Sequence, residues 1–211
     1  WYDGTGNSAV AYTDETGKGL GEWTTLNNDL ILYAHWEIIT YEITYDLDGG
    51  VIEGENPNHY TVHDEFDLLT PSKQGFIFTG WTPCDRVSLG TIGNIKFTAT
   101  WESILIYTET GQNTYFVSGM NFDDITDVEV LSEYNGLPVS MISSNAFAGN
   151  KMIENVFIPD SVTEIARGSF YECDNIKSMN LPFVGTKKDE KQDSISGYCL
   201  GSIFALYGTY G

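Results

Sequence analysis

Positive charge is what this chain has least of: 10 Lys and Arg stand against 30 Asp and Glu, a formal charge of -20 and a pI near 4.1 over 211 residues. A surface this acidic repels phosphate backbones and anionic head groups, which excludes nucleic acid and membrane surfaces as partners. Cysteine is scarce too. Cys84, Cys173 and Cys199 are odd in number and far apart, which argues against a disulfide framework and any Cys-x-x-Cys metal site and predicts buried thiols. No apolar run approaches the roughly 18 residues that cross a bilayer. The start Trp1-Tyr2-Asp3-Gly4 has neither the basic nor the apolar region of a signal peptide. No membrane insertion is therefore expected within this sequence, and any signal or anchor is expected outside it.

Chemistry-bearing patterns are also sparse. His59 and His63 are four apart, a metal spacing on a helix, but His59-Tyr60-Thr61-Val62-His63 alternates like a strand. Four strand residues cover about 13 Å, too far for two imidazoles to share an ion. His35 sits beside Trp36 in a closing strand and reads as structural. There is no Gly-x-Ser-x-Gly elbow and no His-Glu-x-x-His. Thr16-Gly17-Lys18-Gly19 has Tyr12 where a phosphate-binding loop needs glycine and Gly19 where it needs Ser or Thr, so it reads as a turn. Carboxylate groups such as Asp46 with Asp48, or Asp64 with Glu65 and Asp67, have no feature that separates them from surface charge. Asn121-Phe122-Asp123-Asp124-Ile125-Thr126-Asp127 has oxygen ligands for Ca²⁺ but not the EF-hand spacing, and adventitious Ca²⁺ stays as an alternative. The expectation is a non-enzyme with no catalytic residues, no cofactor and no metal site.

Two internal periods are present. In the C-terminal half a shift of 23 residues places Ile142 on Ile165, Phe147 on Phe170, Asn150 on Cys173, Ile153 on Ile176, Val156 on Met179, Ile158 on Leu181 and Pro159 on Pro182. That period is too short for a helix pair and suits one strand plus one turn of helix per coil, each coil burying its apolar face on the next. Val156-Phe157-Ile158 reads as the strand, Pro159-Asp160-Ser161 as the turn, and Ala146-Phe147 and Ser169-Phe170 as steps that put a large ring into the shared core. In the N-terminal half a shift of 65 places Leu30 on Ile95, Leu32 on Phe97, Ala34 on Ala99 and Trp36 on Trp101. Tyr41, Ile43, Tyr45 and Leu47 alternate with polar residues as in a half-buried strand, and Asp48-Gly49-Gly50 supplies the turn. Thr61-Val62, Phe76-Ile77-Phe78 and Ile95-Lys96-Phe97 read as further strands. The equivalent positions of Trp36, Trp81 and Trp101 predict a core role for each.

Ile158 to Ile165 reads I-P-D-S-V-T-E-I, with Ser169, Phe170, Cys173 and Ile176 following. This resembles the leucine-rich repeats of BspA-type surface proteins. Tyr134-Asn135-Gly136-Leu137-Pro138-Val139 is similar to that family's lengthened first coil: Val130 to Ile142 spans twelve steps where Ile158 to Ile165 spans seven, five more. Leu181 to Gly185 with Leu200 to Phe204 resembles a further coil opened by an 11-residue insertion that carries Lys187, Lys188 and Lys191. In the other half, Asp46-Leu47-Asp48-Gly49-Gly50, Pro71, Gly75-Phe76-Ile77-Phe78-Thr79-Gly80-Trp81 and Phe97-Thr98-Ala99-Thr100-Trp101 resemble the Listeria/Bacteroides repeat, the internalin-type B β-grasp module. Trp1 to Gly4 with Leu32 to Trp36 resembles the cut end of a preceding copy, which reads as a piece of a longer multi-repeat chain.

These resemblances imply an α+β, mainly β fold: a truncated β-grasp repeat over 1–37, a complete one over 38–102, and a leucine-rich-repeat solenoid over 103–211 with the lysine-bearing insertion near 185–198. The β-grasp module and the opened coil near Phe204 are expected to act as partial caps, with residues 1–25 less well anchored. The implied function is that of an extracellular, cell-surface or secreted bacterial protein, in which the β-grasp repeats are a spacer and the solenoid mediates adhesion or protein interaction. The partner would be a protein on a host or microbial surface, met by strand-face residues near Asn155, Phe157, Ser178 and Asn180. Two alternatives stay open. One is a glycan-binding module using Tyr107, Tyr115, Tyr134, Tyr171, Tyr207 and Tyr210 if these are exposed; the other is an accessory domain of a larger extracellular enzyme.

Overall fold

A computed structural model describes residues 11, 13–20, 33–34, 36–188 and 200–205. Among these the chain is mainly β and almost devoid of helix. The strands are β1 (Tyr41–Asp46), β2 (His59–Tyr60), β3 (Phe66–Asp67), β4 (Phe76–Thr82), β5 (Arg86–Val87), β6 (Ile95–Ser103) and β7 (Leu105–Glu109). They continue with β8 (Tyr115–Met120), β9 (Asp127–Glu129), β10 (Glu133–Tyr134), β11 (Leu137–Ile142), β12 (Asn155–Phe157), β13 (Glu164–Ile165) and β14 (Ser178–Asn180). A short 3₁₀ helix, Leu200–Phe204, follows.

Contacts divide the chain into two compact units. The first holds the chain up to Ile43 with Pro57–Phe66 and Val87–Ile95. Within it Tyr41 pairs with Tyr60 and Glu42 with His59. Tyr60 is buried, and its hydroxyl donates to the Gly93 carbonyl. Strand β2 stops there because Asp64 Oδ2 accepts from the Thr61 N–H at 2.7 Å and from the Thr61 hydroxyl at 2.9 Å, turning the chain. The expected strand at Thr61-Val62 is thus a turn, and His63 lies in it; His59 Nδ1 is 2.8 Å from Asn58 Oδ1. Earlier in the chain, Asp14 Oδ1 accepts from the Thr16 and Lys18 N–H groups, which makes the glycine-rich stretch at Gly17 a hairpin turn.

The second unit holds Thr44–Asn56, Asp67–Arg86 and the chain from Lys96. Its N-terminal part is an aromatic core around the antiparallel pair β4 and β6. Trp81 is buried against Tyr45, Phe78 and Phe97, with centroids 5.9, 5.7 and 6.4 Å away, and its indole N–H donates to the Leu69 carbonyl at 3.1 Å. Trp101 donates to the Leu47 carbonyl at 3.1 Å. Asp48 (φ 46°) and Gly49 (φ 81°) complete the turn, and Lys73 Nζ clamps it by donating to the Asp48 carbonyl at 2.7 Å while lying over the Phe76 and Trp101 rings. Trp36 departs from the expected core role and is 85% exposed. Residues 36–40 belong to no strand, so the third tryptophan has no sheet to pack on among the described residues.

The 23-residue period of the C-terminal half appears as two parallel ladders. One is β8, β11 and β13, in which Ile142 pairs directly with Ile165. The other is β9, β12 and β14, in which Val156 pairs with Val128 and with Met179. The five extra residues of the first coil form the β10–β11 hairpin, whose turn uses the left-handed backbone of Asn135 (φ 50°) and Gly136 (φ 79°). Between the ladders lie Val128, Ile142, Val156, Ile158 and Ile165, and Phe147 stacks on Phe170 at 4.8 Å. Where a turn of helix was expected in each coil, the chain around Ala146-Phe147 and Ser169-Phe170 makes a series of i to i+3 turns. Phe147 N–H donates to the Ser169 carbonyl and Gly149 N–H to the Tyr171 carbonyl, so bonds between coils replace those a helix would make.

Of the cysteines, Cys173 is buried, with its thiol 2.9 Å from the Phe147 carbonyl, but Cys84 is exposed, contrary to the expected burial. It lies in the Pro83-Cys84-Asp85 loop that follows β4, which contributes no side chain to the core. Cys199, His35, Lys191, Tyr207 and Tyr210 lie outside the described residues, as do most of residues 1–25 and of the insertion. Lys187 Nζ stands 3.5 Å from Glu164, and Lys188 Nζ donates to the Asp160 carbonyl at 3.3 Å.

Three of the six tyrosines expected to be less constrained, Tyr107, Tyr115 and Tyr134, are half-buried together. The Tyr134 ring lies 4.4 Å from Tyr107, 5.1 Å from Tyr115 and 6.4 Å from Phe76. Burial pushes the Tyr107 hydroxyl up to about 12, helped by Tyr134 and Glu129 and opposed by the Leu131 N–H that it accepts. The neutral phenol is the form the fold prefers. Its contribution is complete below pH 10 and is lost as pH rises from 10 toward 12, by up to about 3 kcal/mol at 1.36 kcal/mol per unit. Chemical denaturation across that range is expected to show a steeper loss for the native chain than for Tyr107→Phe. Parallel curves would remove Tyr107 as the cause.

Candidate interaction face

Strands β9, β12 and β14 each offer three residues, and alternation sends the middle one inward. Val128 and Val156 are buried and Met179 packs against the same core. The flanking residues point outward as two rows fixed by the pairing register: Asp127, Asn155 and Ser178 in one, Glu129, Phe157 and Asn180 in the other. All six are exposed. The four residues singled out by position in the sequence, Asn155, Phe157, Ser178 and Asn180, therefore lie together on one face, which forms a shallow depression of about 430 Å³.

The first row is a hydrogen-bonded chain. Ser178 Oγ donates to Asn155 Oδ1 at 3.0 Å, Asn155 Nδ2 donates to Asp127 Oδ1 at 2.8 Å, and Thr126 Oγ1 donates to Asp127 Oδ2 at 2.6 Å. The Thr126 and Asn155 donors hold the Asp127 carboxyl below its ordinary range, so it stays ionised. In the second row Glu129 accepts from the Gln74 amide, and Phe157 is 43% exposed between Glu129 and Asn180. A Lys177–Glu154 pair at 2.8 Å stands where β14 and β12 begin. The sequence did not place Asp127 and Glu129 on this face, and Asp127 figured only in the acidic stretch at 121–127. They belong to the same rows but precede Asn155 and Phe157 by more than one period, because the β10–β11 hairpin lengthens that coil. The five-residue excess was the signal that could have placed them.

A second depression, about 510 Å³, is formed at the coil turns by residues that include Met120, Asp123, Asn150 and Met152. Asp123 of the acidic stretch at 121–127 offers its carbonyl to Asn150 there, at 3.5 Å. Among the described residues no group of three or more His, Cys, Asp and Glu is placed to hold a metal ion.

Parallel ladders that gain one strand with each period point to one repeat type. Residues 112–198 match the BspA type leucine rich repeat region. Strands β9, β12 and β14 lie within that leucine-rich-repeat region, and so does the face they carry. Among solved structures, a leucine rich repeat protein of T. pallidum is 25% identical with a TM-score of 0.36, covering 37% of each chain. A leucine-rich repeat protein from Bacteroides ovatus is 26% identical with a TM-score of 0.35, covering 38% of this chain and 23% of that one. A protein of Evansella cellulosilytica named as a candidate membrane protein is 39% identical over 62 residues, 28% of this chain and 9% of that protein. The chain thus matches less than a tenth of that relative's length. No helix among the described residues is long and apolar enough to cross a membrane.

Proposed function

We propose that this chain is a non-catalytic part of a bacterial cell-surface or secreted protein that mediates adhesion or protein interaction through the strand face of its leucine-rich-repeat region. The observation that carries the reading is the two-row face itself. A rigid parallel ladder holds six exposed side chains in register, with an aromatic ring in the open. Stacked coils form extended surfaces of this kind for partners. Residues 38–102 act in this reading as a β-grasp spacer and 103–211 as the binding solenoid, with the C-terminal part of a truncated β-grasp repeat over 1–37. The aromatic core around Trp81 and the Asp48-Gly49 turn are compatible with such a module.

The test is adherence of beads coated with the chain to immobilised host extracellular-matrix proteins and to bacterial surfaces. The double variant Asn155→Ala with Phe157→Ala is expected to lose about fivefold or more of the bound fraction, because truncating an exposed aromatic anchor commonly removes about 1 to 2 kcal/mol. Its thermal unfolding should stay within a few degrees of the native chain, as both side chains are exposed. Undiminished adherence of the folded variant would sink the assignment of the face.

A further inference from the structure

We infer that the strand face is built for an extended basic protein segment, one that carries lysine or arginine at two alternate positions beside an apolar side chain. This deepens the proposed function and rests on its assignment of the face.

The lining residues of the depression include two carboxylates, Asp127 and Glu129, and no Lys or Arg. Both carboxylates project from β9 two residues apart, a separation of roughly 6.7 Å. Alternate side chains of an extended peptide recur at the same interval, so a Lys-x-Lys or Arg-x-Arg segment lying along β9 would set one cation on each. One strand spacing away, about 4.8 Å, Phe157 presents its ring next to Glu129 and can receive an apolar neighbour of those cations. The nearby Lys177 is already neutralised by Glu154. The chain as a whole carries -20, which favours the approach of a basic partner over an acidic one.

The same geometry disfavours a sugar. A glycan site needs uncommitted hydrogen-bonding groups around a flat ring, and here the row next to Phe157 is spent on itself. The Asn155 amide bridges Asp127 and Ser178, and both Asp127 oxygens already accept bonds. What remains outward is the charge of Asp127 and Glu129, the Phe157 ring and the Asn180 amide.

Fluorescence polarisation with the whole chain tests this. The probe is a labelled ten-residue peptide with lysine at two alternate central positions flanked by valine; the same peptide with glutamate for lysine is the reference. The lysine peptide is expected to bind and the glutamate peptide not. Asp127→Asn with Glu129→Gln should weaken binding about fivefold or more, and Glu129→Gln alone about twofold. Glu53→Gln with Glu55→Gln, which removes the same charge from exposed positions off the face, should leave it unchanged. Equal weakening by the Glu53/Glu55 variant would show general charge attraction and overturn the inference. So would binding of a neutral oligosaccharide probe that depends on Phe157 while the lysine peptide fails. If the peptide result is negative but the Asn155/Phe157 variant still loses adherence, the partner chemistry is wrong and the face stands; if that variant also adheres normally, both readings fall.

Discussion

Phe170→Ala is expected to lower the stability of the solenoid by about 3 to 5 kcal/mol, the usual cost of removing a fully buried aromatic ring and leaving its cavity. Phe170 has no exposed surface. Its ring stacks on Phe147 at 4.8 Å and lies 6.1 Å from Phe204, so it joins three successive coils. Its N–H donates to the Ile203 carbonyl, which ties the same position to the next coil through the backbone. A solenoid gains its stability from contacts between neighbours, and deleting the shared ring weakens two interfaces at once. Guanidinium denaturation followed by far-UV circular dichroism gives the difference, with Phe157→Ala on the exposed face as the comparison. A loss below about 1 kcal/mol, the range of an ordinary surface-like change, would show that the ring is not the keystone described.

The second large effect is at Gly50. A Cβ built there would lie 2.4 Å from Cζ2 and 3.0 Å from Cη2 of Trp101, and 3.1 Å from the Leu47 carbonyl oxygen. The indole cannot swing away freely, since its N–H donates to that same carbonyl and the Lys73 ammonium lies over its ring. Gly50→Ala is therefore expected to cost about 2 to 3 kcal/mol, at the upper end of overpacking penalties, and to shift tryptophan fluorescence as the ring is displaced. Gly111→Ala, where nothing lies within 4 Å of the added carbon, should change stability by less than about 0.5 kcal/mol. Equal effects at the two glycines would mean that Trp101 yields without cost.

The parts of this fold that were legible in the sequence are those where a residue's role repeats. Ile142 and Ile165, or Asn155 and Ser178, are one period apart and become direct partners in a parallel ladder, because one coil of chain advances the solenoid by one strand. The excess length at Tyr134-Asn135-Gly136 likewise became a hairpin. What stayed illegible depends on neighbours that no period encodes. Tyr107, Tyr115 and Tyr134 looked unconstrained, yet Phe76, from the other half of the repeat pattern, completes their cluster. Trp36 matched Trp101 in its motif, but a motif cannot supply the sheet that would cover it. The short helices expected in each coil gave way to turns because the backbone groups they needed were claimed by the adjacent coil. For the candidate face, the strand positions were readable from periodicity; the two carboxylates were not, since their coil is out of step by the length of the hairpin.

The one-strand-per-coil ladder has a further consequence for how such a surface changes over time. Gaining or losing one coil would move the edge of the face by a single strand spacing, about 4.8 Å, and would leave the chemistry of every other column untouched. The length of the footprint is thus quantised, and its composition is written separately at two outward positions per unit. Recombination can adjust reach while point substitution adjusts selectivity, and neither alteration need disturb the buried middle residue that holds the stack together.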